Sequence, residues 1–496
     1  MQSRKVIIIG SGIAGLATAI RLAVQGFEVN VYEKNNYPGG KLSAFEKDGY
    51  HFDAGPSLFT QPHNIAELFE LAGEPMETYF QFQPVDIACH YFYENGKQVN
   101  AYTDTTAFAT ELADKLGEKP ETVTRYLQDA ANLYNQVGSI FLNHSLHKRG
   151  TWLHKRVFKA VKAVKAAHLF KSLHRFNGSR FATPEAVQLF NRYATYNGSN
   201  PYKAPGMLSL IPHLELNQGT FYPKGGMISI TNALYRLAQA KGVNFHFDST
   251  VQKIIHHNGR AVGIVVNGTN IASDIVVCNT DAYLAYQHLL SNPYKAKQVL
   301  KQERSSSAII FYWGIKAGFK QLGLHNIFFS NNYQQEFDHL FKSKTLSNDP
   351  TVYINITSKM EVGQAPAGCE NWFVMINAPA NVGQNWEELK ATARGHIIAK
   401  LNRLLQADIA PLIAVEETLD PVLIEERTGS YRGSLYGTSS NSKMAAFLRQ
   451  PNFTSLVKGL YFCGGSVHPG GGIPLCLKSA QIVSGLIQKQ KSHQPH

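Results

Sequence analysis

Acidic residues are missing from a long stretch of this chain. Between Ala130 and Pro184 there is no Asp or Glu, while Lys148, Arg149, Lys155, Arg156, Lys159, Lys162, Lys165, Lys171, Arg175 and Arg180 all fall there. Most of the net charge of +12 therefore sits in one segment. Cysteine is scarce. Cys89, Cys278, Cys369, Cys463 and Cys476 form no C-x-x-C pair and no zinc spacing, which argues against a disulfide framework or a structural metal. They are expected to be reduced thiols. No apolar run approaches the ~18 residues that would span a bilayer. The glycine-rich motif starts at residue 10, which leaves no room before it for a cleaved targeting peptide, so a cytoplasmic location is expected. Internal repeats and low-complexity linkers are absent. No Ser/His/Asp set, carboxylate pair or metal cluster can be assigned, so no catalytic residue and no metal ligand is predicted.

What is present is concentrated at the two ends. Residues 6–33 read VIIIGSGIAGLATAIRLAVQGFEVNVYE. Val6–Ile9 has the β-branched composition of a strand buried on both faces. Gly10, Gly12 and Gly15 follow as G-x-G-x-x-G, with Ala14 inside the motif. Gly10 suits the tight turn, Gly12 a close pyrophosphate and Gly15 a helix packed on the sheet. The helix N-terminus then faces the phosphate charge. Glu33 ends the second strand at the distance where a carboxylate accepts hydrogen bonds from a ribose. Strand, glycines, helix, strand and acid in this order predict a dinucleotide site. At 496 residues and 44% hydrophobic, the chain has room for two or three domains.

KNNYPGGKLSAF follows, with Gly39, Gly40 and the cation of Lys41, and then GYHFDAGPSLFT at 49–60. A nicotinamide-binding domain needs neither. Helices are expected over 60–75 and 105–145, and strands over 84–103 around a turn at Glu94–Lys97. In the basic segment, Leu153, Val157, Val161, Val164 and His168 share one helical face, and Lys155, Lys159 and Lys162 another. This pattern predicts a basic amphipathic helix lying in a membrane interface. A solvated helix on the core is the plainer alternative. Nucleic acid is not expected, because no binding fold accompanies the charge. NRYATYNGSNPYKAPG and IPHLELNQGTFYPKGGM are turn-rich and aromatic. The last motif, GLYFCGGSVHPGGGIPLCLKSAQIVSGLI at 459–487, is a buried strand, two glycine loops and a helix entered through Ile473 and Pro474.

Taken together, the N-terminal motif, Gly39-Gly40-Lys41, Phe52-Asp53-Ala54-Gly55-Pro56-Ser57 and the C-terminal glycine motif resemble FAD flavoproteins of the carotenoid desaturase group, near the amine oxidases. The resemblance covers nearly the whole chain. Lys41 stands where many members have Arg, keeping the charge without the planar fork. The implied fold is α/β, an FAD-binding Rossmann-like domain interleaved with a mixed α+β substrate domain and a helical membrane-facing part. The expected division gives residues 1–80, 222–295 and 453–488 to the FAD domain and 81–221 and 296–452 to the substrate domain. A membrane-facing helix is placed at 151–176 within the basic segment 148–180, and a disordered tail at 489–496.

The resemblance implies that FAD is held by Gly10, Gly12, Ala14, Gly15, Glu33, Gly40, Lys41, Ser57, Leu58, Val251, Asn279, Gly465, Gly472 and Ile473. Tyr196, Asn197 and His213 are candidates for a substrate channel, with ordinary packing roles as the alternative. The implied reaction is flavin-dependent dehydrogenation of a carotenoid: hydride leaves to the flavin and a proton follows from the next carbon. Reoxidation is expected from oxygen or a quinone. The phrases YPGGKLSAF, FDAGPSLFT and CGGSVHPGGGIPLCLKSA look closer to the 1-hydroxycarotenoid 3,4-desaturases than to phytoene enzymes. Phytoene or lycopene desaturation, carotenoid isomerisation, amine oxidation and a flavin-free prenyl-protein binding factor are the competing expectations.

Overall fold

The computed structural model describes residues 4–152, 157, 164–442 and 444–492. Its first sheet is wholly parallel. The strand order is Leu460–Phe462, Ile275–Cys278, Lys5–Ile9, Glu28–Tyr32, Asn244–His246. Ile7 sits between Val276 and Asn30 in register. Val6 to Ile9 are each 4% exposed or less, as a strand covered on both faces requires. The helices Ile13–Val24, Ile228–Ala240 and Ile473–Ser492 supply one cover, with Leu16, Ile20, Leu234 and Val483 in a shared core. The strands come from the beginning, middle and end of the chain.

The second sheet has seven strands in the order Ile413–Leu419, Ser307–Ile315, Glu370–Ala378, Val352–Ile356, His325–Phe328, Ile87–Phe92, Gln98–Tyr102. His325–Phe328 runs parallel to Ile87–Phe92 and the other pairs are antiparallel. Ser307–Ile315 is buried along its whole length, so it reads as a continuous apolar run and not as an alternation. On one face the 20-residue helix Trp386–Leu405 packs Ala393, Ile397 and Leu401 against Trp313 and Trp372. The opposite face, with Tyr312, Tyr353 and Met375, is the floor of the cavity described below.

Among the described residues, the basic segment is not one helix. It contains Arg149–Trp152, Ala166–Phe170 and Leu173–Gly178. The break at Lys171–Ser172 has a tertiary cause. Gly206 N–H donates to the Lys171 carbonyl (2.9 Å) and Leu173 N–H to the Ala204 carbonyl (2.8 Å). Ser172 then caps the next helix by accepting from Arg175 N–H. Leu153, Lys155, Lys159, Val161 and Lys162, on which the amphipathic pattern partly rests, lie outside the described residues. Among the described residues no helix is long and apolar enough to cross a membrane. The C-terminal helix runs to Ser492, further than the expected tail boundary.

Candidate active site

The site begins where the first strand stops. Gly12 is extended (φ −63°, ψ 170°) and starts the helix Ile13–Val24, so the first free N–H groups of that helix open into a cavity. A Cβ on Gly15 would lie 2.2 Å from the Gly10 carbonyl oxygen, so only glycine lets this helix approach its strand. Asn279 ties the two terminal motifs together. Its Oδ1 accepts from Gly15 N–H (3.1 Å) and its Nδ2 donates to the Cys463 carbonyl (3.0 Å). Glu33 is 6% exposed. Its Oε2 accepts from the Ser11 N–H and Oγ–H (2.8 and 2.9 Å), and its Oε1 from Asn35 N–H (3.0 Å). Oε1 keeps lone-pair capacity for a further donor.

Across the cavity stand Gly471, Gly472 and Ile473, the entry to the C-terminal helix. Lys41 reaches across to donate from Nζ to the Leu435 carbonyl (2.6 Å), and burial pulls its ammonium down to about 8. The cavity, about 1340 Å³, continues past Ser57 and Leu58 onto the seven-stranded sheet and then between Leu142, Leu208, Leu210, Ile211 and Leu214. Leu210 of this wall also packs with Val157 of the basic segment, beside Val137 and Ile140.

Of the sequence-predicted residues, Gly10, Gly12, Ala14, Glu33, Gly40, Lys41, Ser57, Leu58, Val251, Asn279, Gly465, Gly472 and Ile473 all line this one cavity, as do Tyr196 and Asn197. Two do not. Gly15 stands behind the wall as a packing residue. His213 is buried beside Tyr134, ring centroids 5.3 Å apart, with Nε2 3.2 Å from the Gln218 amide nitrogen. Asn197 spends its side chain within the protein, donating to Ser440 Oγ (3.2 Å) and accepting from Ser199 Oγ (2.8 Å).

The sequence reading missed a buried ion pair. Arg192 Nη2 donates to Glu215 Oε1 at 2.6 Å, and Tyr193 Oη donates to the same oxygen at 2.9 Å. The guanidinium lies 4.6–5.4 Å from the rings of Tyr91, Tyr193 and Tyr196. Burial pushes the Glu215 carboxyl above its ordinary value, against the cation beside it. A signal existed: Glu215 is the sole acid between Glu185 and Asp248.

Free helix N–H groups, a carboxylate with a spare acceptor site at the end of the second strand, and glycine walls on both sides fit a dinucleotide. The chain matches the flavin containing amine oxidoreductase family over residues 13–488, and it belongs to that family. It is an FAD-dependent oxidoreductase, which sets aside the flavin-free binding factor. Among characterised relatives, it is 51% identical to a 1-hydroxycarotenoid 3,4-desaturase of a Flavobacterium species, over 98% of this chain and 99% of that one. It is 34% identical to a 4,4'-diapolycopene oxygenase of a Methylomonas species, over 97% of each. Among solved structures, putrescine oxidase bound to putrescine superposes with a TM-score of 0.63 at 16% identity, covering 98% of this chain and 99% of that one. Cyclohexylamine oxidase from Brevibacterium oxydans gives 0.62 at 14%, covering 99% and 100%. At such identities these two speak to the fold alone.

The buried Lys41 gives a pH prediction. Its ammonium favours an anionic ligand while protonated, and that state is lost as pH rises past about 8. FAD affinity is expected to be flat below pH 8 and to fall above it with the slope of one proton. Lys41→Arg, which stays charged, is expected to remove that slope. Fluorescence titration of apoprotein with FAD across pH 7–10 checks it, and identical profiles would contradict it.

Proposed function

We propose that this chain dehydrogenates a carotenoid, as a 3,4-desaturase of 1-hydroxycarotenoids taken from a membrane. The observation that carries this is the single cavity joining the dinucleotide cradle to a long leucine- and isoleucine-lined wall. A soluble amine needs no such wall, whereas a polyene gains about 0.8 kcal/mol for each CH₂ removed from water. The name of the 51%-identical relative supports the particular substrate.

In this reading, the Gly10–Gly15 turn and the helix after it receive the pyrophosphate, and Glu33 the ribose hydroxyls. Val251 flanks the adenine. Gly40, Ser57, Leu58, Gly465, Gly472 and Ile473 enclose the ring end, and Lys41 offers its cation to a phosphate. When bound there, the flavin supplies the two-electron acceptor for a hydride. The protein's own part is to hold one saturated C–C bond in place and to keep water away, which Leu208, Leu210, Ile211 and Leu214 do. Oxygen or a quinone completes the cycle.

The membrane contact is proposed for the basic segment. Phe170 is 68% exposed, Leu169 40% and Trp152 37%, with Lys165 and Lys171 beside the first two. Each cation near an anionic leaflet contributes about 1 kcal/mol.

The test is turnover of purified, FAD-loaded protein on liposomes carrying a 1-hydroxycarotenoid or its unhydroxylated parent, under oxygen or with a quinone. A red shift of the visible spectrum with the hydroxylated compound is expected. A comparable shift with phytoene or lycopene would return the chain to the general desaturases. Isomerisation without net oxidation would refute desaturation.

A further inference from the structure

The sheet floor of the cavity carries one polar spot whose hydrogen bonding is incomplete. His325 lines the cavity and is 2% exposed. Its Nδ1 lies 2.8 Å from Tyr353 Oη and 3.2 Å from the Asn355 side-chain nitrogen. That amide is oriented by its N–H bond to the Leu324 carbonyl (3.1 Å), so it faces Nδ1 with a donor. Nδ1 therefore accepts. Tyr353 O–H donates to it, and Ser57 Oγ–H, at 2.7 Å, donates to Tyr353. Burial, with the nearby Arg192 cation also opposing protonation, pulls the ring from its ordinary 6.5 down to about 3. A neutral imidazole that accepts at Nδ1 carries its proton on Nε2. That N–H has no partner. Arg192 Nε and Tyr196 Oη, on two other residues of the same cavity wall, are also unpartnered.

A buried donor left unmade is costly, and its complement is specific. It calls for a neutral oxygen acceptor carried on an otherwise apolar ligand. The chain from Nε2–H through Tyr353 ends at Ser57, on the segment assigned above to the flavin ring. The recognised oxygen is thus held near the reacting carbons. In a 1-hydroxycarotenoid undergoing 3,4-desaturation, a single methylene separates the hydroxyl-bearing carbon from the first reacting carbon, so the two requirements coincide.

We propose that His325 is the specificity-determining residue that reads the substrate hydroxyl: Nε2–H donates to the hydroxyl oxygen, while Tyr353, Asn355 and Ser57 fix the tautomer that makes this possible. The assignment rests on the proposed function. A hydrocarbon parent leaves the N–H unpaired and is rejected for that reason.

The experiment compares kcat/KM for liposomal 1-hydroxycarotenoid and its unhydroxylated parent in the wild type, His325→Leu and His325→Gln, each confirmed by absorbance to hold flavin. The wild type is expected to prefer the hydroxylated substrate about ten- to a hundredfold. His325→Leu is expected to lose that preference, chiefly through slower turnover of the hydroxylated compound. His325→Gln retains an N–H donor and is expected to keep most of it. If His325→Leu fails to load flavin, His325→Met, of similar bulk and without a donor, takes its place. Undiminished preference in the donor-free variant overturns the role of His325 alone. A wild type that turns over neither compound overturns the functional reading, and with it the occupant named here.

Discussion

Replacing Gly15 by alanine is expected to yield protein that no longer retains flavin. The added Cβ would stand 2.2 Å from the Gly10 carbonyl oxygen and 2.9 Å from Asn279 Oδ1. Neither neighbour can yield. Gly10 belongs to the turn that presents the cavity wall, and Asn279 Oδ1 is the acceptor of Gly15 N–H and the link to the C-terminal motif. The helix Ile13–Val24 must move off its strand, taking its N-terminal donors with it. A cost of roughly 3 kcal/mol or more is expected, at the upper end for overpacking. Gly485→Ala is the control. It lies within the helix Ile473–Ser492, and a Cβ there meets nothing within 4 Å. Alanine should leave stability unchanged or raise it by about 0.5–1 kcal/mol. Flavin absorbance of the purified variants and thermal denaturation with and without added FAD decide the matter. A Gly15→Ala protein that is yellow and as stable as the wild type would contradict the close-packed turn.

Glu215→Ala is expected to destabilise the fold by about 3–5 kcal/mol, because it strands a buried cation. Glu215 is 1% exposed, and Arg192 and Tyr193 both donate to it. Without the carboxylate, the Arg192 guanidinium keeps only the faces of Tyr91, Tyr193 and Tyr196, which offset a small part of the loss. Removing both partners, as Arg192→Met with Glu215→Leu, is expected to recover much of the stability, since two apolar residues carry no desolvation penalty. Chemical denaturation of the two single variants and the double variant gives the coupling directly. Single and double losses that simply add would show that the pair does not act as a unit.

The parallel sheet and its glycine cradle were legible in the sequence because each piece announces itself locally. Val6–Ile9 is a pure buried strand, the glycines sit at fixed offsets, and Glu33 ends the next strand. The C-terminal glycine loop is equally local. The polar spot of the second sheet was not legible. Ser57, His325 and Tyr353 come from three segments, and only the pairing of His325–Phe328 with Val352–Ile356 brings two of them together. His213 and Asn197 looked like channel residues through their turn-rich surroundings. His213 is packed behind the wall, whereas Asn197 does line the cavity, with its amide spent on Ser199 and Ser440. The basic segment misled for a different reason. Helical periodicity describes its sequence, but the backbone at Lys171–Leu173 pairs with Ala204 and Gly206 instead of continuing the helix. Such a contact between distant residues overrides a local pattern and leaves no trace in it.

The proposed reaction is dehydrogenation of an apolar polyene that one cavity places against an FAD cradle. It is tested most directly by mixing FAD-loaded protein anaerobically with liposomes containing a 1-hydroxycarotenoid and following the spectrum through a single turnover. Loss of the flavin absorbance together with a red shift of the carotenoid bands, in equal amounts and without any added oxidant, is the predicted result. An unchanged flavin spectrum after the carotenoid has been shown to bind would contradict the account.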